Sequence, residues 1–210
     1  MTGLVYLHGF SSSPRGNKGT FTRLWAEQRG ILFHAPDLNL PAFGTLTLTA
    51  QVDAVEALLL GLAEPPVLVG SSLGGFIATA VAQRGGRIRS MILLAPAIRF
   101  ARRRLISPSW AGYRERGEME VFHHGVGRPL RLGPELLQDL PTWADDDCWR
   151  IQVPTVILHG RRDEAVPLAE SEAYRDRNPG TVLHVLEDDH GLLSTASLDC
   201  LQSELGSAFR

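Results

Sequence analysis

The chain is poor in several residue types, and each shortage excludes something. Of its 210 residues only Lys18 is a lysine, and the other 20 basic residues are arginines. Basic and acidic groups nearly balance, 21 against 23, and the formal charge of -2 offers no bulk field for nucleic acid or an anionic membrane surface. The two cysteines, Cys148 and Cys200, show no metal-ligand spacing and no disulfide framework, so no metal or cofactor is expected. Long apolar runs are missing too. The longest, Val67 to Ala82, spans 16 residues and is broken near its start by three glycines and two serines, too short to cross a bilayer. No basic segment or cleavage site precedes the apolar residues that begin at Leu4, which makes a cytoplasmic protein the expectation. There is no repeat, no low-complexity linker, and neither G-x-x-x-x-G-K-[ST] nor G-x-G-x-x-G to cradle a phosphate.

What is present is an ordinary globular composition, 44% apolar and 21% charged. A chain of this length buries about 70% of its unfolded surface, so one domain over residues 1–210 needs no staple. Short runs of Val, Ile and Leu end in Gly or Pro and alternate with helical or loop stretches, the pattern of βα units around a parallel sheet. Strands are expected at Leu4 to Leu7, Ile31 to His34, Val67 to Val69, Met91 to Leu94, Thr155 to His159 and Val182 to Leu186. Their continuous apolarity implies helices on both faces. Val52, Val55, Leu58, Leu59 and Leu62 repeat at helical spacing, with Thr49 as the expected N-cap. Further helices fit Gly19 to Gln28, Leu73 to Gln83, Pro167 to Arg177 and a C-terminal segment with Leu198, Leu201 and Leu205. From about residue 99 to 150 no period is legible, and so irregular a stretch in a compact domain reads as a lid-like insertion.

The strongest chemical signal is Gly70-Ser71-Ser72-Leu73-Gly74-Gly75, directly after the strand Val67-Leu68-Val69 and opening a helix at Leu73. This is G-x-S-x-G in its strand-turn-helix context, where a sharp turn lifts the central serine above the sheet. A serine hydroxyl needs a base to take its proton and a third group to orient that base. Asp163 follows the strand ending at His159, and His190 follows the last strand, so Ser72, Asp163 and His190 fall in the order serine, acid, histidine. Glu164 is a neighbouring substitute for the acid, and Asp188 or Asp189 could orient His190 instead. The turn after Tyr6-Leu7-His8-Gly9-Phe10 and the residue after Ser72 supply candidate oxyanion donors, the N–H groups of Phe10 and Leu73. His8 and His159, at strand ends beside glycine, read as structural hydrogen-bonding groups.

These motifs resemble the α/β-hydrolase superfamily. Leu7-His8-Gly9-Phe10 with Ser12-Ser13-Pro14 and Lys18, followed by the serine turn, is similar to the small YqiA-like esterases. The resemblance implies a minimal α/β-hydrolase fold: a mostly parallel sheet of about six strands, helices on both faces and a short lid. It implies Ser72 as nucleophile, Asp163 as acid, His190 as base, and Phe10 and Leu73 as oxyanion donors. The antiparallel hairpin that usually opens the fold is absent.

Trp110, Trp143 and Trp149, with Phe100 and Phe122, could wall an apolar acyl pocket or could staple the 99–150 segment to the body. Arg99, Arg102, Arg103 and Arg104 could bind a substrate anion or form a solvated face. The expected activity is hydrolysis of a small carboxylic ester through an acyl-enzyme on Ser72. A thioesterase, with the arginines contacting an acidic carrier, and a non-catalytic binding module of the same fold remain as alternatives.

Overall fold

The structure, a computed structural model, describes residues 2–145 and 150–210. Elements follow in the order β1 (Leu4–Leu7), α1 (Asn17–Glu27), β2 (Phe33–His34), α2 (Leu48–Leu60), β3 (Val67–Ser71), α3 (Leu73–Gln83), β4 (Ser90–Leu94), α4 (Phe100–Ile106) and α5 (Ala111–Arg116). They continue with β5 (Met119–His123), β6 (Arg128–Leu132), α6 (Glu135–Asp139), β7 (Thr155–Gly160), α7 (Leu168–Arg177), β8 (Val182–Leu186) and α8 (Thr195–Ala208). Six strands form one parallel sheet in the order β2-β1-β3-β4-β7-β8.

Both faces of that sheet are covered, which is why its strands are apolar without alternation. Val5, Leu7 and Leu68 pack with Val52 and Val55 of α2, Phe76 and Ile77 of α3 and Tyr174 of α7. Leu4, Tyr6, Val67 and Val69 pack on the other face with Trp25 of α1 and Leu201 and Leu205 of α8. Each such fully buried side chain stabilises the fold by about 1.5–3 kcal/mol. The chain leaves β1 toward β2 on one side and returns to β3 on the other. That reversal opens a crevice at the carboxyl ends of β1 and β3, where open α/β sheets bind ligands.

The structure departs from expectation at element ends. β2 keeps only two of its four expected residues, because the Ile31 N–H closes the end of α1 on the Ala26 carbonyl. The N-cap of α2 is Thr47, whose hydroxyl accepts the Ala50 N–H at 3.0 Å. Thr49 instead gives its N–H and hydroxyl to the Asp139 carboxylate, at 2.9 and 2.5 Å, so a negative charge sits at the positive end of the helix. Pro167 is the N-cap of α7 rather than its first helical residue. Residues 99–145 are not irregular: they form α4, α5, α6, two 3-10 turns and the antiparallel β5–β6 hairpin. Elements of five to seven residues are too short to show a period, which is why none is legible in the sequence. Trp149, Cys148 and two of the three consecutive aspartates lie outside the described residues.

Gly74 lies where α3 passes the end of β1, and a Cβ there would collide with the Leu7 and His8 carbonyl groups. Gly74→Ala should therefore cost about 3 kcal/mol. Urea unfolding reads this directly, and an unchanged midpoint would show that the contact is not tight.

Candidate active site

Ser72 follows β3 directly and caps α3 with φ 53° and ψ -114°, a conformation that costs a non-glycine residue on the order of 1–3 kcal/mol. The turn is held from both sides: the Ser72 N–H donates to the Leu94 carbonyl at 2.9 Å, and the Ser72 carbonyl accepts from Ala97 at 3.0 Å. Gly70 allows the chain to double back, since a Cβ there would lie 2.6 Å from the Gly74 oxygen.

The His190 Nε2 lies 3.1 Å from the Ser72 Oγ, and its Nδ1 lies 2.7 Å from the Asp163 Oδ2. An ionised carboxylate only accepts, so Nδ1 carries the proton and Nε2 is left to accept from the hydroxyl. The Asp163 side chain is fully buried. Burial alone would raise its pKa, but bonds from His159, His190 and the Val166 N–H outweigh that and hold it well below the usual carboxylate range. Its Oδ1 accepts the Ala165 and Val166 N–H groups at 2.9 and 2.8 Å. His159, also buried, has Nε2 3.3 Å from Oδ2 and 3.0 Å from the Val166 carbonyl, while Nδ1 sits 2.7 Å from the Ser171 hydroxyl. A neutral ring protonated at Nε2 satisfies all three contacts. Asp188 is otherwise engaged: it accepts from Ser194 N–H, the Ser197 hydroxyl and Asp189 N–H at the start of α8.

At the end of β1, the His8 Nε2 accepts the Leu38 N–H at 2.9 Å, which fixes the proton on Nδ1, and Nδ1 donates to the Gly9 carbonyl at 2.9 Å. Across a trans peptide the next N–H points opposite that carbonyl. The Phe10 N–H is thereby turned away from His8, and Gly9 packs so close to Ser72 that an added Cβ would sit 3.3 Å from the Ser72 Cβ. Among the described residues neither the Phe10 nor the Leu73 N–H donates a hydrogen bond.

A cavity of about 400 Å³ opens beside Ser72 and His190. Phe10 lines it, but Trp110 and Trp143 do not. Trp110 packs against Phe10, Phe100 and Tyr113, and Trp143 packs against Phe76 while its Nε1–H donates to the Thr49 hydroxyl. Both rings therefore bind residues 99–145 to the body. Phe100 touches Phe10 from the core side, and Phe122 is exposed on the hairpin. The Arg103 guanidinium pairs with Glu170 at 3.1 Å, and Arg104 lies over the Phe100 and Trp110 rings. Sequence reasoning passed over Asn17 and His124 as lining residues of the cavity. His124 is carried there by a hairpin 52 residues beyond Ser72, and no local spacing signals such a contact. No cluster of three His, Cys, Asp or Glu side chains among the described residues is arranged to hold a metal, and no helix among them is long and apolar enough to cross a membrane.

The parallel sheet, the strained serine turn and its place at the sheet's switch point define an α/β-hydrolase fold. A presumed hydrolase from Agrobacterium vitis S4 superposes with a TM-score of 0.85 at 24% identity, covering 100% of this chain and 88% of that one. Alpha/beta hydrolase domain-containing protein 10 from mouse gives 0.81 at 21%, covering 99% and 89%, and Est1E from Butyrivibrio proteoclasticus, with ferulic acid bound, gives 0.78 at 18%, covering 98% and 86%. The chain belongs to UPF0227, described as an uncharacterised protein family, whose model matches residues 3–195.

Burial would raise the Asp188 carboxyl pKa as well, but its bonds from Ser197, Ser194 and Asp189 hold it below the usual range. A depressed carboxyl contributes stability that is complete above its unfolded value, near 4, and is lost as pH falls further. Asp188→Asn should therefore be less stable at pH 7 and show a flatter decline between about pH 5 and 3. Unfolding curves across that window test it, and a slope equal to wild type would remove the assignment.

Proposed function

We propose that this protein is a serine hydrolase that cleaves small carboxylic esters by acyl transfer to Ser72. The observation that carries this reading is the unbroken hydrogen-bond chain from the Ser72 hydroxyl through His190 to the buried Asp163. His190 Nε2 takes the hydroxyl proton as Ser72 attacks the ester carbonyl, and returns it to the departing alcohol. Water then enters, loses a proton to the same nitrogen and releases the acid. Asp163 keeps the imidazole in the required tautomer and stabilises the imidazolium. The N–H groups of Phe10 and Leu73 receive the tetrahedral oxyanion, each donor contributing on the order of 100- to 1,000-fold in rate. The described residues suffice for each step without a metal or cofactor.

The fold shared with the proteins above supports hydrolysis as the reaction class. We read residues 99–150 as the lid of one domain spanning the chain, and Trp110 and Trp143 as its staples rather than as substrate contacts. The engagement of Arg103 and Arg104 within the protein favours a simple alcohol over an acidic thiol carrier as the leaving group.

Ser72→Ala should lower kcat/KM for 4-nitrophenyl acetate by roughly 10⁴-fold or more, and a fluorophosphonate probe should label wild type at Ser72 and not the variant. Undiminished turnover in the pure variant would reject the nucleophile. Faster turnover of acetyl-CoA than of the ester would reject the leaving-group assignment alone.

A further inference from the structure

The cavity beside Ser72 has two kinds of wall. Phe10, Leu193 and the ring of Tyr6 give it an apolar side, and Ser12, Asn17, Lys18 and His124 bring polar groups to it. Among the described residues no Asp or Glu lines it and Lys18, the only lysine in the chain, is its one Lys or Arg. The Lys18 side chain is partly buried at the start of α1, and its ammonium donates to the His190 carbonyl at 3.3 Å. An ammonium has three donors, so that single bond leaves two for the cavity that Ser72 also lines. α1 places no acidic residue in its first turn to take them.

A charge desolvated in this way without an ion pair is costly, and a bound anion would relieve the cost. The surroundings also limit the anion's charge. Asp163, Asp188 and Asp189 act on Lys18 electrostatically, and Asp163 and Asp188 are buried with their oxygens committed to donors inside the protein. Their negative field opposes a phosphate dianion more strongly than a singly charged group. About 400 Å³ also leaves little room for a long acyl chain.

We propose that the site is selective for small esters bearing a carboxylate, which the Lys18 ammonium binds while Ser72 attacks the ester carbonyl. This rests on the hydrolase reading above. No covalent step involves Lys18, which stays protonated and acts as a specificity-determining group. Burial lowers its pKa to about 8, with Asp163, Asp189 and Asp188 opposing the shift. The other ionisable groups lining the cavity are His124, His190 and Tyr6, the last kept neutral by burial. The preference for a carboxylate should thus be present below pH 8 and fade as the ammonium deprotonates above it.

Two pairs of esters test this, the members of each pair differing chiefly by the presence of a carboxylate. Mono(4-nitrophenyl) adipate against 4-nitrophenyl hexanoate puts the carboxylate on the acyl side, and 4-acetoxybenzoate against its methyl ester puts it on the leaving side. Wild type should prefer the charged member of one pair by about 10-fold in kcat/KM, the pair revealing which side carries the charge. Lys18→Met should bring that ratio close to one, chiefly through KM for the charged ester, and Lys18→Arg should retain most of it. No preference in either pair would overturn the inference while leaving the hydrolase reading intact. So would a ratio unchanged in Lys18→Met with both esters slowed alike, the signature of a lysine that only holds the His190 loop. Failure of wild type to label at Ser72 would sink both.

Discussion

Backbone pressed against backbone is the constraint on which the site depends. The turn at residues 70–75 can double back only because Gly70 meets the Gly74 oxygen, and α3 can start there only because Gly74 meets the end of β1. The same approach brings Gly9 against Ser72, so two loops from neighbouring strands share one small volume. The strained φ of Ser72 persists because the flanking elements over-determine it: Val67 to Val69, Phe76 and Ile77 are fully buried.

Charge is arranged with comparable economy. A single buried carboxylate, Asp163, faces two imidazoles and two backbone N–H groups. His159, fixed by Ser171 and Val166, shares the Asp163 Oδ2 with His190 and so helps to orient that carboxylate. His8 does for the loop after β1 what His159 does for Asp163: each ring is buried, bonded at both nitrogens and placed at the carboxyl end of a strand. Burial lowers the His8 pKa, which keeps that ring neutral and its tautomer constant.

The legible part of the molecule was the part governed by local rules. β1, β3, β4 and β7 follow from apolar runs buried on both faces, β8 from a Val- and Leu-rich run at the half-exposed sheet edge, and the serine turn from glycine spacing next to a strand. The positions of Asp163 and His190 were readable because each follows a strand, and parallel strands deliver their carboxyl ends to one rim. Which carboxylate orients His190 was not readable. Glu164 adjoins Asp163, and Asp188 and Asp189 lie within two residues of His190; only the hydrogen bonds of Asp188 to Ser194 and Ser197 show that it serves α8 instead. The Thr47 cap was missed because the adjacent Thr49 has the same chemistry, and its partner, Asp139, lies 90 residues away. Trp110 and Trp143 were ambiguous for a related reason, since an aromatic that staples and one that lines a pocket look alike until their neighbours are known.

The segment that resisted reading is also the one that completes the rim. The loop after β1 continues through Ser11 at φ 51°, a conformation that needs outside partners to persist. The His124 N–H donates to the Ser11 carbonyl at 2.8 Å, and the Asn39 side chain donates to the Ser12 carbonyl at 3.1 Å. His123, from the same hairpin, packs edge-on to Phe43 and lies 3.3 Å from the Asn39 Oδ1, tying the two supports together. A sheet with its helices could thus present Ser72, but the loop bearing Phe10 takes its shape from β5 and β6 as well. Changes in that hairpin would reach the chemistry through the backbone of residues 10–13, without touching Ser72, His190 or Asp163.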